Sequence, residues 1–247
     1  MQKLWFSIYD FSFNYPGPEP AFADPVRFEW ANELATETEK IKQELKDYIS
    51  HHQLEAYFNS SMVSKQHSWK TIALKTWGVQ LFKNQKQFPY TTSLINKYPE
   101  IVSASFNLLE PGSSIHPHCG DTNAIYRCHL GLEVPAGLPT TGFKVKGEAK
   151  AWKNGEWLIF MDAYEHEAWN HSTEKRYIFL IDVIRPEFRD KKKLVCSTVL
   201  TSLYLQKRAE KLKLLLKMNP LLITAITRML RPLAQSAISI ANALKIY

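Results

Sequence analysis

The stretch VSASFNLLEPGSSIHPHCGDTNAIYRCHLGLEV, residues 102–134, decides the class of fold. Two runs in it, 102–110 and 124–134, are dominated by β-branched, aromatic and other apolar residues. Each run has the length and composition of a strand, and Pro111-Gly112 after the first run is a turn signal. The stretch therefore predicts short strands that reverse direction.

The same pattern recurs in three more runs outside this stretch. They are TIALKTWGV (71–79), EWLIFM (156–161) and RYIFLIDVI (176–184). Turn signals at 135–137 and 153–155 separate strands, and a short helical insertion is predicted between residues 80 and 100. Several short strands with turns between them, and no long helix among them, predict a mainly β fold of the sandwich or jelly-roll kind.

Three regions follow from this pattern. Residues 1–65 begin with a Pro-rich loop and continue into an amphipathic helix from Phe28 to about Ser50, and we expect both to pack on the barrel. Residues 66–190 form the β core. Residues 191–247 form a basic, helical C-terminal extension.

Composition is that of a globular protein able to bury a sizeable core. Of the 247 residues, 45% are hydrophobic and 22% are charged. No run of about 18 apolar residues predicts a transmembrane helix, and the N-terminal residues make a poor secretory signal. Three cysteines without a CxxC pair do not form a disulfide framework. We therefore expect a cytoplasmic protein.

The net charge of +7 is concentrated in the C-terminal extension. Residues 191–247 contain eleven Lys or Arg and one acid, Glu210, whereas the rest of the chain contains 20 bases and 23 acids. Helices are predicted at 207–217 and from Pro220 onward, and Pro232 is expected to kink or end the second helix.

Residues 207–247 have two possible roles. A cationic, amphipathic element of this type lies on anionic membrane surfaces, which predicts peripheral membrane contact. A helical cap packed on the barrel explains the same sequence equally well. No aromatic-rich basic pattern accompanies the charge, so nucleic acid is not an expected partner.

Charged residues within the apolar strands point to a binding pocket. Side chains alternate along a strand, so Arg127 and His129 share one face, and Arg176 shares a face with Leu180 and Asp182. A buried arginine is costly without an anionic partner. Two arginines and several histidines inside one barrel would suit a small dicarboxylate beside a metal, because arginine pairs with a carboxylate through two hydrogen bonds.

A series of motifs in fixed order runs from Trp69 to Glu187. It reads W-K-T and W-G, then F-x-x-L-x-P-G, P-H-x-G-x-x-N and R-x-H-L-G-L. It ends with W-x-x-G-E-W-L-I-F, E-H-E-A-W-N and R-x-I-F-L-I-D-V-x-R-P. This order resembles the aspartyl/asparaginyl β-hydroxylases, which are Fe(II)- and 2-oxoglutarate-dependent dioxygenases. The resemblance implies a double-stranded β-helix, of the jelly-roll or cupin-like kind, with helices at both ends.

The resemblance also implies the ligands of the metal. His118 in P-H-x-G and His166 in E-H-E-A-W-N match the two iron ligands. Most iron oxygenases of this fold add a carboxylate two residues after the first histidine, but here that position is Gly120. We therefore expect a site with two protein ligands and more room for 2-oxoglutarate and O2. Asp121 would face away if the strand continued, so we do not expect it to bind the metal.

The cosubstrate residues are implied in the same way. Arg176 matches the salt-bridge partner of the distal carboxylate of 2-oxoglutarate. His129 and Arg127, in R-x-H-L-G-L, match positions that contact its carboxylates. Asn107 stands where the family often has serine, and it can still form hydrogen bonds. The predicted catalytic set is His118, His166 and Arg176.

Two other functions remain open from the residues alone. His116 and His118 have a common metal-ligand spacing, and with His166 they could form a three-histidine cupin site for Zn, Mn or Fe without 2-oxoglutarate. An inactive interaction module with structural histidines is the second.

Within the hydroxylase interpretation, the substrate is the open question. The family name suggests the β-carbon of Asp or Asn in a peptide, a protein or an amino-acid-like molecule. The V-I-R-P ending and the basic tail also resemble a branch that hydroxylates acyl chains of lipid A.

Overall fold

The computed structural model describes residues 3–10, 15–211 and 219–247. Within these ranges the chain forms twelve β-strands and six α-helices. The strands are β1 Phe22–Ala23, β2 Glu55–Ala56, β3 Trp69–Thr76, β4 Val79–Gln80, β5 Ile101–Leu109, β6 Ser113–His118, β7 Ile125–Glu133, β8 Thr141–Val145, β9 Glu148–Lys150, β10 Trp157–Met161, β11 His166–Asn170 and β12 Arg176–Ile184. The helices are α1 Glu29–Thr36, α2 Thr38–His51, α3 Phe82–Gln85, α4 Pro89–Asn96, α5 Lys192–Lys211 and α6 Pro220–Leu244.

The strands form two antiparallel sheets. The major sheet has the order β1-β10-β7-β12-β5-β3-β2, with β4 also paired to β3, and the minor sheet has the order β6-β11-β8-β9. From β5 to β12 the chain passes repeatedly from the major sheet to the minor sheet and back. This alternation winds the chain around a space between two facing sheets, so the fold is the expected double-stranded β-helix, or jelly roll.

The major sheet is covered on both faces. Its outer face packs against the N-terminal helices, where Leu34, Ile41 and Leu45 meet Phe106 and Phe179 in one buried cluster. Its inner face packs against the minor sheet in a second cluster. Because both faces are buried, β12 is apolar along almost its whole length, and the charged side chains that interrupt it are exceptions that need a partner.

The C-terminal extension packs on one end of the barrel. In α5, Val195, Cys196 and Val199 join a third buried cluster with Trp77 and Phe188. Helix α6 lies against α5 and β4. The extension is therefore attached to the core as a cap.

One side chain of α6 fastens that helix to the barrel. The Asn242 amide accepts a hydrogen bond from the Gln80 N–H and donates one to the Gly78 carbonyl, each 2.8 Å long. No helix in the described ranges combines the length and apolar composition needed to cross a bilayer.

Several sequence predictions needed correction. The single helix predicted from Phe28 is two helices, α1 and α2, which meet at Glu37. The short strands β1 and β2 also belong to the major sheet, so the sheet begins before residue 66. The minor-sheet strands were not predicted, because they are short and rich in polar residues, as in SSIHPH and HEAWN.

The extension also differs from its prediction. Helix α6 continues through Pro232 and does not end there. This proline is exposed, so water can bond to the carbonyl that loses its helical partner. Helix α5 begins at Lys192, well before the predicted start at residue 207. Residues 212–218 of the predicted helix lie outside the described residues.

Candidate active site

Two histidines meet at one end of the paired strands β6 and β11 of the minor sheet. His118 is the last residue of β6 and His166 is the first of β11, and these strands pair so that the two residues stand directly opposite each other. Their ring centroids are 4.2 Å apart. The two histidines are 48 positions apart in the sequence, and the register of the strands brings them together.

The hydrogen bonds of both rings leave one nitrogen of each available to a metal. Nδ1 of His118 lies 2.8 Å from the His116 carbonyl oxygen, and Nδ1 of His166 lies 2.8 Å from the Tyr164 carbonyl oxygen. A nitrogen facing a carbonyl must carry the proton, so Nε2 of each ring is left with its lone pair. Burial lowers the pKa of His118 to about 4 and that of His166 well below its usual value. Both rings are therefore neutral at pH 7, which is the form that binds metals.

The carboxylate of Asp162 lies beside this pair, although the sequence position expected for a carboxylate is occupied by Gly120. A side chain at Gly120 would overlap Asp162, because a Cβ there would lie 1.9 Å from Asp162 Oδ2. The Gly120 N–H also donates to the Asp162 backbone carbonyl at 2.8 Å. Asp162 Oδ1 lies 3.9 Å from His166 Nε2. Position 120 must therefore be a glycine, because the Asp162 side chain occupies the space where a Cβ would lie.

Arg176 lies at the other end of a narrow pocket between the two sheets, which we call the inner pocket. The inner pocket is lined by His118, His166, His129, Arg176 and Trp152, among others. Arg176 is only 2% exposed, and among the described residues it has no hydrogen-bond or ion-pair partner for its buried Nε and Nη1. Burial lowers its pKa to about 9. A buried cation without a counterion indicates that an anion is meant to bind there.

His129 adds a second donor to the same pocket. The Trp152 indole N–H donates to His129 Nδ1 at 3.4 Å, so the proton of the neutral ring is on Nε2. That Nε2 is buried without a partner among the described residues. The ring of Trp152 also stacks on Arg176, with the guanidinium carbon 4.5 Å from the ring centroid. Trp152 therefore orients both groups that face the inner pocket.

Two other predicted cosubstrate residues line the inner pocket but are already engaged with the protein. Arg127 makes a bidentate pair with Asp182, at 2.8 and 3.0 Å, and an ion pair with Asp162 at 2.7 Å. The Asn107 amide accepts from the Trp69 indole N–H at 3.0 Å and donates to Ser105 Oγ at 2.9 Å. The structure thus brings all six predicted site residues together, and Arg176 and His129 are the two with unused donors.

A larger cavity opens from the histidine pair toward solvent, and we call it the outer cleft. It has a volume of about 1070 Å³ and runs over the inner face of β3, β5 and β12, beneath α5. Its lining includes His118, Tyr57, Ser103, Lys75 and Leu203. The lining combines polar groups with apolar side chains, which suits an amphiphilic or extended ligand.

The three-histidine arrangement does not form. The His116 side chain is exposed, and its Nδ1 lies 3.3 Å from the Ser61 carbonyl oxygen. In the described part of the chain, no group of three or more His, Cys, Asp or Glu side chains is placed to hold a metal ion. Asp121 accepts a hydrogen bond from Ser202 at 3.1 Å. The residues present fit a metal held by His118 and His166 alone.

Sequence comparison places the chain among known proteins. The sequence model of the aspartyl/asparaginyl β-hydroxylase family matches residues 35–186, which is more than half of the chain. The chain belongs to this family. The resemblance seen in the motifs is therefore confirmed, and the chain is a hydroxylase-family enzyme.

The names of the relatives in this family refer to different substrates. The ornithine lipid ester-linked acyl 2-hydroxylase of Rhizobium tropici is 34% identical over 172 residues, which are 68% of this chain and 61% of the relative. The human aspartyl/asparaginyl β-hydroxylase is 35% identical over 126 residues, which are 48% of this chain and 16% of the relative. The match spans less than two thirds of either relative.

Solved structures with a similar arrangement of strands include cupins. A cupin 2 conserved barrel protein from Salinispora arenicola is 11% identical, with a TM-score of 0.34 and coverage of 57% of this chain and 87% of that chain. A cupin-like protein from Thermotoga maritima is 12% identical, with a TM-score of 0.35 and coverage of 56% and 82%.

Three residues of the site were missed from the sequence. Asp162 precedes His166 by four positions in the segment DAYEHEAWNH. The unusual polarity of this segment was the feature of the sequence that could have identified Asp162. Trp152 stands in the quoted W-x-x-G motif but was not assigned a role. Lys75 is a charged residue within an apolar strand, the same signal that pointed to Arg127 and Arg176.

Proposed function

We propose that this protein is an Fe(II)- and 2-oxoglutarate-dependent dioxygenase that hydroxylates a C–H bond. The observation that carries the proposal is the buried Arg176 guanidinium without a counterion, which shares one narrow pocket with two neutral histidines. That pocket fits a dicarboxylate, because one end offers a metal and the other end offers a cation. When bound, Fe(II) supplies, with 2-oxoglutarate and O2, the oxidation that hydroxylates the substrate and releases succinate and CO2.

Each residue has a physical task in this proposal. His118 and His166 hold the metal through Nε2, and their backbone hydrogen bonds fix the orientation of both rings. Arg176 neutralises the distal carboxylate of 2-oxoglutarate, and the Nε2–H of His129 donates to a carboxylate oxygen. The surrounding rings of Phe143 and Phe160 exclude water from the inner pocket.

Arg127 and Asn107 act mainly through the protein. Arg127 holds Asp162 in place beside the histidines and, as a cation at the junction of pocket and cleft, attracts carboxylates of either cosubstrate or substrate. Asn107 fixes the Trp69 ring at the same junction. Both residues thus shape the passage between the inner pocket and the outer cleft.

For the substrate, we propose an acyl chain of a membrane amphiphile. The outer cleft has the size and mixed lining that such a molecule needs. The similarity to the ornithine lipid acyl hydroxylase also covers more of this chain than the similarity to the human β-hydroxylase, 68% against 48%. Asp or Asn side chains of a polypeptide are the second candidate, because the family includes enzymes named for them.

Helix α6 supports a location at a membrane surface. Its solvent face carries exposed apolar side chains at spacings of seven and four residues, which form one stripe along the helix. They are Leu222, Met229, Leu233, Ile240 and Leu244. The helix contains Arg228 and Arg231 and no acidic residue. A cationic helix with an apolar stripe is complementary to an anionic lipid surface. The free Cys119, Cys128 and Cys196 suit the cytoplasmic side.

The test of the reaction is succinate formation in the presence of Fe(II), 2-oxoglutarate and O2. We expect His118→Ala and His166→Ala to abolish it while leaving the circular dichroism spectrum unchanged. His116→Ala is the matched control, because this exposed histidine uses only its backbone carbonyl to support His118. Full turnover in both ligand variants would contradict the metal assignment.

The test of the substrate is mass spectrometry of candidate molecules after turnover. Addition of one oxygen atom to an acyl chain of a lipid extract, and none to Asp- or Asn-containing peptides, is the expected result. Hydroxylated peptide with unmodified lipid would support the second candidate.

Membrane contact is tested by sedimentation with anionic liposomes. Leu233→Glu places a charge in the apolar stripe and should reduce binding strongly. Gln235→Glu is the matched control, because it adds the same charge at an exposed position on a different face of the helix from the stripe. Equal loss in both variants would indicate a general charge effect, and formation of a dimer in solution would indicate that a second copy covers the stripe.

A further inference from the structure

Lys75 is a buried lysine on the floor of the outer cleft. It is 7% exposed, and it lines the cleft together with Ala73 and Thr71 of the same strand. A bulge in β3 shifts the register between Ala73, which pairs with Ser105, and Lys75, which pairs with Ala104. Leu74, between them, points to the other side, into the core. The strand therefore directs the Lys75 side chain into the cleft.

This lysine has no partner within the described protein. No carboxylate, carbonyl or hydroxyl among the described residues accepts a hydrogen bond from its ammonium group. Lysine is almost never this buried unless it is paired. Burial, together with the nearby positive charge of Lys192, lowers the pKa of Lys75 to about 8. Lys192 itself donates to the Pro99 carbonyl, so this end of the cleft holds excess positive charge.

The remaining charges of the cleft floor do not neutralise Lys75. Asp182, an acidic residue that lines the same cleft, pairs in register with Ser103, one row of the sheet away from the row of Lys75 and Ala104. Its carboxylate is bound in a bidentate manner by Arg127. The Ser103 hydroxyl is engaged by the Trp77 N–H at 3.0 Å. Lys75 is therefore a donor that the folded chain leaves unused.

We propose that the Lys75 ammonium binds an anionic group of the substrate, a carboxylate or a phosphate, in the outer cleft. This proposal rests on the outer cleft being the substrate site of the proposed hydroxylase. Arg127, Asp182, Ser103 and Lys75 lie on four adjacent strands. The Cα atoms of Arg127 and Lys75 are therefore separated by three strand spacings, or roughly 14 Å.

A separation of this size suits an elongated substrate. An acyl chain with an anionic head group can extend along the cleft, with the head group at Lys75 and the reacting carbon near His118. Lys75 would then set which carbon of the chain reaches the metal.

The first experiment is labelling of lysines with a limiting amine-acylating reagent, followed by peptide mass spectrometry. Full-length protein as purified is labelled alone and with decyl phosphate, decanoate or decanol, without added 2-oxoglutarate. We expect both anionic probes to slow labelling of Lys75 about tenfold or more, and decanol to have little effect. Lys70 is the internal control, because it lies on the same strand but pairs with Glu110 at 2.7 Å. Equal protection by decanol, or no protection by any probe, would overturn the proposal.

The second experiment measures the affinity of the same probes by calorimetry for Lys75→Met and Lys70→Met. Loss of one charged hydrogen-bond partner should weaken binding of the anionic probes to Lys75→Met by about 10- to 100-fold. The Lys70→Met variant should bind them as the wild type does. The stronger of the two anionic probes identifies the head group as phosphate or carboxylate. Unchanged affinity of Lys75→Met would refute the proposal, whereas absence of succinate formation by the wild type would refute only the proposed reaction.

Discussion

The sharpest test of the inner pocket is the replacement of Arg176 by methionine. Methionine keeps much of the length of the side chain and removes the charge. If the partner of Arg176 is a bound anion, then the ligand-free protein contains an uncompensated buried cation. Removal of the Arg176 charge should therefore stabilise the ligand-free fold. The same change should remove the binding of 2-oxoglutarate. Opposite effects on stability and on binding are expected only for a residue whose partner is absent from the folded chain.

The magnitude follows from the depressed pKa of Arg176. Burial lowers it from 12.5 to about 9, which corresponds to a cost on the order of 5 kcal/mol for the charged form in the folded state. Loss of the cation–π contact with Trp152 offsets roughly 2 kcal/mol of the gain. The Arg176→Met variant should therefore be more stable than the wild type by roughly 3 kcal/mol in the absence of ligand.

Urea unfolding with and without 2-oxoglutarate, under Fe(II) and nitrogen, measures both effects. At a ligand concentration 100-fold above Kd, the wild type should gain about 2.7 kcal/mol and the variant almost nothing. Arg185→Met is the matched control, because Arg185 is equally buried but pairs with Glu19 at 2.7 Å. That variant should lose roughly 3–5 kcal/mol. If Arg176→Met loses as much as Arg185→Met, then Arg176 has a partner within the protein and the anion-pocket interpretation fails.

Three further predictions concern neighbouring residues. Burial raises the pKa of Asp121 from 3.8 to about 6, so the wild type loses stability as the pH rises through this window. In the metal-free protein, the stability of Asp121→Asn relative to the wild type should increase by about 3 kcal/mol between pH 4 and pH 6. A constant difference across that range would show that burial of Asp121 is not the cause. Gly120→Ala should destabilise the protein by about 1–3 kcal/mol in urea unfolding, because its Cβ would overlap Asp162. Gly137→Ala should be tolerated, because its Cβ would lie 4.0 Å from the nearest atom, Ala151 Cβ. Similar losses in both variants would contradict the packing argument. Trp152→Phe should weaken 2-oxoglutarate binding about tenfold, measured by titration calorimetry, because it removes the indole donor to His129. Unchanged affinity would show that Trp152 does not orient His129 for binding.

The major sheet could be predicted from the sequence because its strands are long and apolar. In VSASFNLLE and RYIFLIDVI the pattern of apolar residues is strong enough to place β5 and β12 within one residue. The minor sheet could not, because β6 and β11 consist of polar residues whose extended conformation depends on pairing with each other and with β8. Local sequence carries little information about such tertiary pairing.

The site shows the same division. His118, His166 and Arg176 could be proposed as site residues from the motifs, and the structure brings them into one pocket. The engagement of Arg127 with two aspartates could not, because Asp162 and Asp182 lie 35 and 55 positions away from it in the sequence. Lys75 carries the same signal as the two arginines, a charge within an apolar strand, but the sequence does not show on which face it lies. A lysine in a strand is normally on the solvent face, and the bulge at Leu74 and the covering helix α5 make this one a buried cation.

In the proposed site, formal charges give a reason why no carboxylate ligand is needed at position 120. The two histidines are neutral. When Asp162 and Asp182 are both ionised, their charges offset those of Arg127 and Arg176. Fe(II) brings two positive charges and 2-oxoglutarate brings two negative charges, so the loaded pocket is neutral as well. A carboxylate at position 120 would leave one negative charge uncompensated in a buried space, which is costly. Either partner alone would also leave the pocket charged. Metal and cosubstrate should therefore each increase the affinity for the other by the same factor, as thermodynamic linkage requires.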